Sequence, residues 1–140
     1  MRRLARGYLI VISILNGVAG LVCGVLFIAR PDGSLIQAGA LRSTIAGLPL
    51  ANVFFQDFLW IGVAMLLALA VPNLVAAVML VRRSRRQYVA TLVAAALLVL
   101  WTGFELIYMP NAPAVGYFVV GVVSILSSLL LLRSTVETSA

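Results

Sequence analysis

Between residues 7 and 29 this chain carries no charged side chain, and the same holds for 58–81, 88–104 and 106–132. A helix rises about 1.5 Å per residue, so about 20 apolar residues cross a hydrocarbon core of ~30 Å. Four such runs in 140 residues leave room for little besides four crossing helices and their connections. Composition agrees: 64% of the residues are hydrophobic and 10% charged, more apolar surface than a soluble domain of this length can bury. The expected fold class is all-α, a polytopic membrane protein formed by one four-helix bundle over 1–140. Spans are expected at about 7–29, 57–81, 88–108 and 115–132, joined by an outer loop at 30–56 and a cytoplasmic loop at 82–87. A basic start before an apolar run is also the layout of a signal peptide. The run is too long for one, no small-x-small site follows, and Val22 before Cys23 breaks a lipoprotein box, so a retained helix is expected.

Charge sets the expected orientation. All ten basic residues are Arg, against Asp32, Asp57, Glu105 and Glu137. Arg2, Arg3, Arg6, the cluster Arg82, Arg83, Arg85 and Arg86, and Arg133 fall on one side of the four runs, and Arg30 and Arg42 on the other. The positive-inside rule then places both termini and the cluster on the cytoplasmic side of the plasma membrane. The cluster would also attract anionic lipid headgroups, at about 1 kcal/mol per Arg near the surface. No basic face lies between these ends, so nucleic acid is not an expected partner. Tyr8 and Tyr88 are expected at the inner interface, and Trp60, Trp101, Tyr108 and Tyr117 at the outer one. A single cysteine, Cys23, excludes an intramolecular disulfide and CxxC redox chemistry. The absence of His excludes His-ligated haem and the usual His-containing zinc sites, and no cofactor or metal is expected.

Local patterns refine the layout. Pro31-Asp32-Gly33-Ser34 is a turn by chemistry. Leu41, Ile45 and Leu48 recur at helical spacing opposite Arg42 and Ser43, which predicts a short amphipathic helix at the interface, ended by Gly47 and Pro49. Pro72-Asn73 falls inside the second span, where the proline removes a ladder donor, frees the carbonyl of Ala68 and predicts a kink. Met109-Pro110-Asn111-Ala112-Pro113 is a tight turn, and residues 134–140 form a frayed tail.

In span one, Ser13, Asn16, Gly17, Gly20 and Gly24 share one helical face, and in span four Gly121, Ser124 and Ser128 make a weaker stripe. Small residues dominate helix contacts in lipid, so packing is the plainer reading and an oligomer contact or lipid groove the sharper one. Asn16, Asn73 and Ser124 could form a polar layer near the midplane, although Asn73 points off the span-two face unless Pro72 rotates it. The carboxylates are the best functional hint. Asp57 begins span two and Glu105, which shares a face with Leu98, Trp101, Thr102 and Tyr108, lies near the outer end of span three. An ionisable residue inside a span is a functional candidate by default. Arg30 and Arg42 are the expected ion-pair partners, and an N-terminal helix position is the plainer role for Asp57.

The run Pro31-Asp32-Gly33-Ser34-Leu35-Ile36, followed by Phe55-Gln56-Asp57-Phe58-Leu59-Trp60-Ile61-Gly62, resembles a group of small bacterial four-span membrane proteins. Those proteins place a DGSL-type turn after span one and an F-x-D-[FY] start on span two. The resemblance implies a fold and no activity. Small multidrug exporters, quinone-linked disulfide enzymes, fluoride channels and glutathione-using membrane enzymes fit worse, because their defining residues are missing here.

Three functions therefore stand, in this order. The first is a non-enzymatic accessory or oligomer-forming subunit, with membrane lipids and a second copy or partner membrane protein around it. The second is a binder or transporter of a small solute or lipid at an outer site with Asp57, Glu105 and Trp101. The third is an enzyme on a lipid-soluble substrate with the two carboxylates as acid and base. An outer cavity lined by these residues favours the second, and a closed core with Glu105 paired to Arg30 favours the first.

Overall fold

With no water in the bilayer core, a spanning segment must satisfy its backbone internally, and each apolar run does so as a helix. The computed structural model describes residues 2–48 and 50–136. Its first helix, α1, is Arg2–Ala29. The connection after α1 carries two single 3-10 turns, Ser34–Ile36 and Ala38–Leu41, and two short helices, α2 at Arg42–Ala46 and α3 at Ala51–Phe54. The remaining spans are α4 at Leu59–Val81, α5 at Gln87–Tyr108 and α6 at Ala112–Val136. Thus α6 continues past Arg133, the expected stop, and the part of the expected tail beyond Val136 lies outside the described residues, as does Pro49. The helices run alternately up and down: α1 packs along α4, α4 on α5, and α5 on α6, with a sparser α1–α6 contact closing the bundle.

Its surface is that of a soluble protein turned inside out. Ser13, Asn16, Asn73, Thr91, Thr102, Ser124 and Ser128 are buried, while Val11, Leu15, Leu67, Val75, Leu100, Ile107, Val119 and Leu130 point outward. Apolar chains gain little by leaving lipid, so the interior goes to small residues that let helices approach and to hydroxyls that bond across them. Ser128 donates to Thr91 Oγ1 at 2.9 Å, joining α6 to α5. Tyr8 packs, partly buried, against the Leu9, Leu80 and Leu131 cluster. Its hydroxyl turns inward, 3.2 Å from Ser124 Oγ and 3.3 Å from the carbonyl oxygen of Val120.

The glycines of α1 lie against α4. A Cβ on Gly20 would stand 2.9 Å from the backbone nitrogen of Ala70, and one on Gly62 only 2.8 Å from the carbonyl oxygen of Gly24. Gly121 does the same for α6 against α5, where a Cβ would meet Val99 at 2.7 Å. These stripes are therefore occupied inside one chain.

Pro72 has a different consequence from a simple kink. The turn before it, Leu66–Ala70, is π-helical, and the Val71 N–H donates to the Leu66 carbonyl five residues back. The wider turn carries an extra residue past the proline's conflict and shifts the phase of everything after it. Asn73 consequently faces inward, 3% exposed, and its amide donates to the Leu69 carbonyl at 2.9 Å.

The basic end of the bundle is sealed by Leu9, Leu80 and Leu131. There α4 ends with Arg83 in the left-handed region, φ 53°, its N–H on the Leu80 carbonyl at 3.2 Å and that of Ser84 on Met79 at 2.9 Å. This is a Schellman termination with arginine where glycine is usual. The Arg6 guanidinium, reaching from α1, donates to the same Leu80 carbonyl.

Candidate binding cavity at the loop end

The loop between α1 and α4 folds back onto the opposite end of the bundle. Pro31, which presets its own φ, begins a turn in which Asp32 Oδ1 accepts the Ser34 N–H at 3.0 Å and its hydroxyl at 2.8 Å. The Ser34 N–H above all, then its hydroxyl, and more weakly the charges of Arg30 and Arg42 hold the exposed Asp32 carboxyl below the usual carboxylate range. The loop is latched at its ends: the Phe58 N–H donates to the Pro31 carbonyl at 2.9 Å. Gly33, at φ 76°, leaves no room for a side chain, since a Cβ there would be 2.9 Å from the Phe58 ring. That ring stacks on Phe27, centroids 5.0 Å apart. The two motifs separated by the loop in sequence are thus one contact in space.

Between these ends Ala38, Ile45 and Leu48 pack into a core with Phe27, Phe58 and Ile61. The expected amphipathic helix is only the five residues of α2, and Leu41 is exposed rather than on its buried face. A 3-10 turn precedes α2 and turns Ala38 inward in place of Leu41.

Near this end the four helices line a partly open cavity of about 190 Å³. Two of the helices give it one face at the i, i+3, i+4, i+7 spacing of a single stripe. From α1 come Asn16, Ala19, Gly20 and Cys23, and from α5 Leu98, Trp101, Thr102 and Glu105. Met65 and Leu69 of α4 and Tyr117 of α6 complete the wall, with Asn111 and Pro113 at the rim. The small residues of α1 and the wide turn holding Leu69 leave the space that larger residues in a regular helix would fill.

The polar groups here are not equivalent. Asn111 caps α6, accepting the Ala114 N–H at 2.7 Å and donating to the Met109 carbonyl at 2.8 Å. Thr102 donates to the Leu98 carbonyl at 2.8 Å within its own helix. Glu105 is half-buried; the Trp101 side chain gives it a hydrogen bond, and among the described residues no guanidinium lies in ion-pair range of it. Asn16 is 5% exposed and, among the described residues, makes no side-chain hydrogen bond. One carboxylate without a counter-charge and one unpartnered amide therefore share an otherwise aromatic and aliphatic chamber.

Other expected site residues lie elsewhere. Asp57 does not line the cavity; its Oδ1 accepts the Leu59 N–H at 2.9 Å, the role of a helix N-terminal carboxylate. Arg30 and Arg42 are exposed and act on Asp32, not on Glu105. Of the two carboxylates, Glu105 lines the cavity and Asp57 does not. Nor do Asn16, Asn73 and Ser124 form a layer: Asn73 bonds its own helix, and Ser124 donates to the Val120 carbonyl at 2.8 Å. Asn16 and Tyr117 are the site residues that sequence reasoning placed otherwise. Matching the small face of α1 to the Leu98–Trp101–Thr102–Glu105 face of α5 would have found Asn16.

Fold and site together define a small all-α membrane protein with four candidate crossing helices and a cavity between them. Comparison with protein-family models, curated proteins and solved structures gives no match.

Proposed function

We propose that this protein binds a small amphipathic cation, a protonated amine with one ring or a short aliphatic body, in the loop-end cavity. The observation that carries this reading is Glu105: a carboxylate lining the cavity with no guanidinium in reach among the described residues. A carboxylate within a span is retained at a cost and ordinarily marks a pathway or a ligand. An ammonium group supplies the missing counter-charge, the faces of Trp101 and Tyr117 favour a cation by their ring quadrupoles, and Asn16 offers a further polar contact. Size limits the ligand, because an apolar cavity of about 150 Å³ accepts benzene and this one is only modestly larger.

An apolar groove of about 420 Å³ lies on the lipid-facing side of α4 and α5 and shares Trp101 with the cavity. This supports entry from the bilayer, where such amines partition. With eight of the ten arginines at the other end, the positive-inside rule puts the cavity in the outer leaflet and both termini in the cytoplasm of a plasma membrane.

Trp60 and Trp101 are the two tryptophans, so Trp60→Phe leaves Trp101 as the reporter. Quenching of its fluorescence by phenethylammonium is expected to saturate, with 2-phenylethanol binding at least about tenfold more weakly, as expected for a charged hydrogen bond. Glu105→Gln should erase that difference. Equal binding of the amine and the alcohol, or no effect of Glu105→Gln, would sink the proposal.

A further inference from the structure

We infer that the basic end carries a second site, a groove for the phosphate of an anionic phospholipid headgroup, formed by Arg3, Arg6 and Arg83. The groove encloses about 640 Å³ and joins the first turns of α1 to the α4–α5 connection. Its three guanidinium-bearing residues come from two elements far apart in sequence, so the fold, not a local run of charge, brings them together. Among the described residues every carboxylate, Asp32, Asp57 and Glu105, belongs to the loop end, and none of these three neutralises this groove.

Three features separate it from a diffuse topology signal. Arg83 occupies the left-handed position that closes α4, where glycine is the unstrained choice, and its side chain lines the groove. An arginine held in a conformation disfavoured by about 1 kcal/mol or more is strain placed at a candidate contact. Gly7 of α1 lines the same groove, and a Cβ there would meet nothing within 4 Å, so the space is open up to the helix backbone. Gln87 Oε1, also from a groove residue, is buried without a hydrogen-bond partner among the described residues. Ile10 continues the wall away from the arginines, where an acyl chain would leave the headgroup. Guanidinium pairs with phosphate in a bidentate fork, and the level is that of headgroups because it lies at the ends of spanning helices.

The test uses the full chain, delipidated in mild detergent, with phosphatidylglycerol, phosphatidylcholine and inorganic phosphate as probes in native mass spectrometry. Phosphatidylglycerol is expected to be retained at least about tenfold more tightly than phosphatidylcholine. Arg83→Gly should weaken it about fivefold, the loss of one arginine near the surface, while the melting temperature stays level or rises because the strain is gone. Arg85→Gln, outside the groove, should weaken phosphatidylglycerol clearly less than Arg83→Gly. Equal losses from Arg83→Gly and Arg85→Gln would reduce the site to diffuse charge and overturn the inference. Displacement of the lipid by millimolar inorganic phosphate would overturn the lipid assignment in favour of a free anion. Neither result bears on the amine cavity, which shares no residue with this groove.

Discussion

Gly20→Ala is the sharpest probe of how closely α1 and α4 approach. Two effects oppose each other. Alanine is the better helix former by about 1 kcal/mol, so the substitution would stabilise a helix with space around it. At Gly20 there is none: the new methyl would stand 2.9 Å from both the Ala70 nitrogen and Leu69 Cβ, atoms of a neighbouring backbone rather than the end of a flexible chain. Relieving such overpacking ordinarily costs about 1–3 kcal/mol, so the clash outweighs the gain in helix propensity. A net loss of about 1 kcal/mol is expected. Gly7→Ala meets nothing and should keep most of the propensity gain. Gly17→Ala falls between, because the near atoms include the terminal carbons of Leu74, which can rotate away. The expected order of stability is therefore Gly7→Ala, wild type, Gly17→Ala, Gly20→Ala. For a chain of this size each kcal/mol moves the melting temperature by about 2–4 °C, readable by circular dichroism in mild detergent. A Gly20→Ala protein melting at or above Gly7→Ala would refute the close approach and, with it, the packing role of the α1 glycines.

Two further predictions concern the loop end. Gly33→Ala combines a left-handed φ, worth about 1–2 kcal/mol against alanine, with a clash on the Phe58 ring. Limited proteolysis should accelerate within 30–58 while helix content by circular dichroism is unchanged; an unaltered cleavage rate would mean that the latch does not hold the loop. Asp57→Ala removes the N-terminal hydrogen bond to Leu59 and should cost about 1 kcal/mol of stability. It should leave amine affinity unchanged, and a loss as large as that from Glu105→Gln would place Asp57 in the site after all.

The spans were legible in the sequence because lipid allows so few alternatives. A run without charge that must satisfy its own backbone becomes a helix, and the ends follow the charges to within a few residues. The small-residue face of α1 was legible for the same reason, although which helix it meets was not. Depth could be read, but rotation about the helix axis could not. The sequence reads Asp57 and Glu105 at similar depth, yet only Glu105 lines the cavity, while Asp57 accepts the Leu59 N–H at the start of its own helix. Asn73 shows why phase is fragile: a single π-helical turn upstream, prompted by Pro72, carries it from the wrong face to the buried one. In the loop, whether Ala38 or Leu41 points inward depends on a 3-10 turn, set by contacts with Phe27 and Phe58 that no local pattern encodes.

Tying Pro31 to Phe58 also decides what this architecture can tolerate in its descendants. Once the two ends of the loop are joined, the intervening chain is a closed ring as far as the helices are concerned. Closure entropy grows only logarithmically with ring size, so doubling such a segment costs about 0.6 kcal/mol. Additions at exposed points such as Gly39 or Asn52 would lengthen the loop without changing the separation or rotation of α1 and α4. Pro31, Gly33 and Phe58 have no such latitude. The loop can therefore diversify in length and surface chemistry beside a chamber whose walls stay fixed, which separates the part that meets the outside from the part that holds the carboxylate.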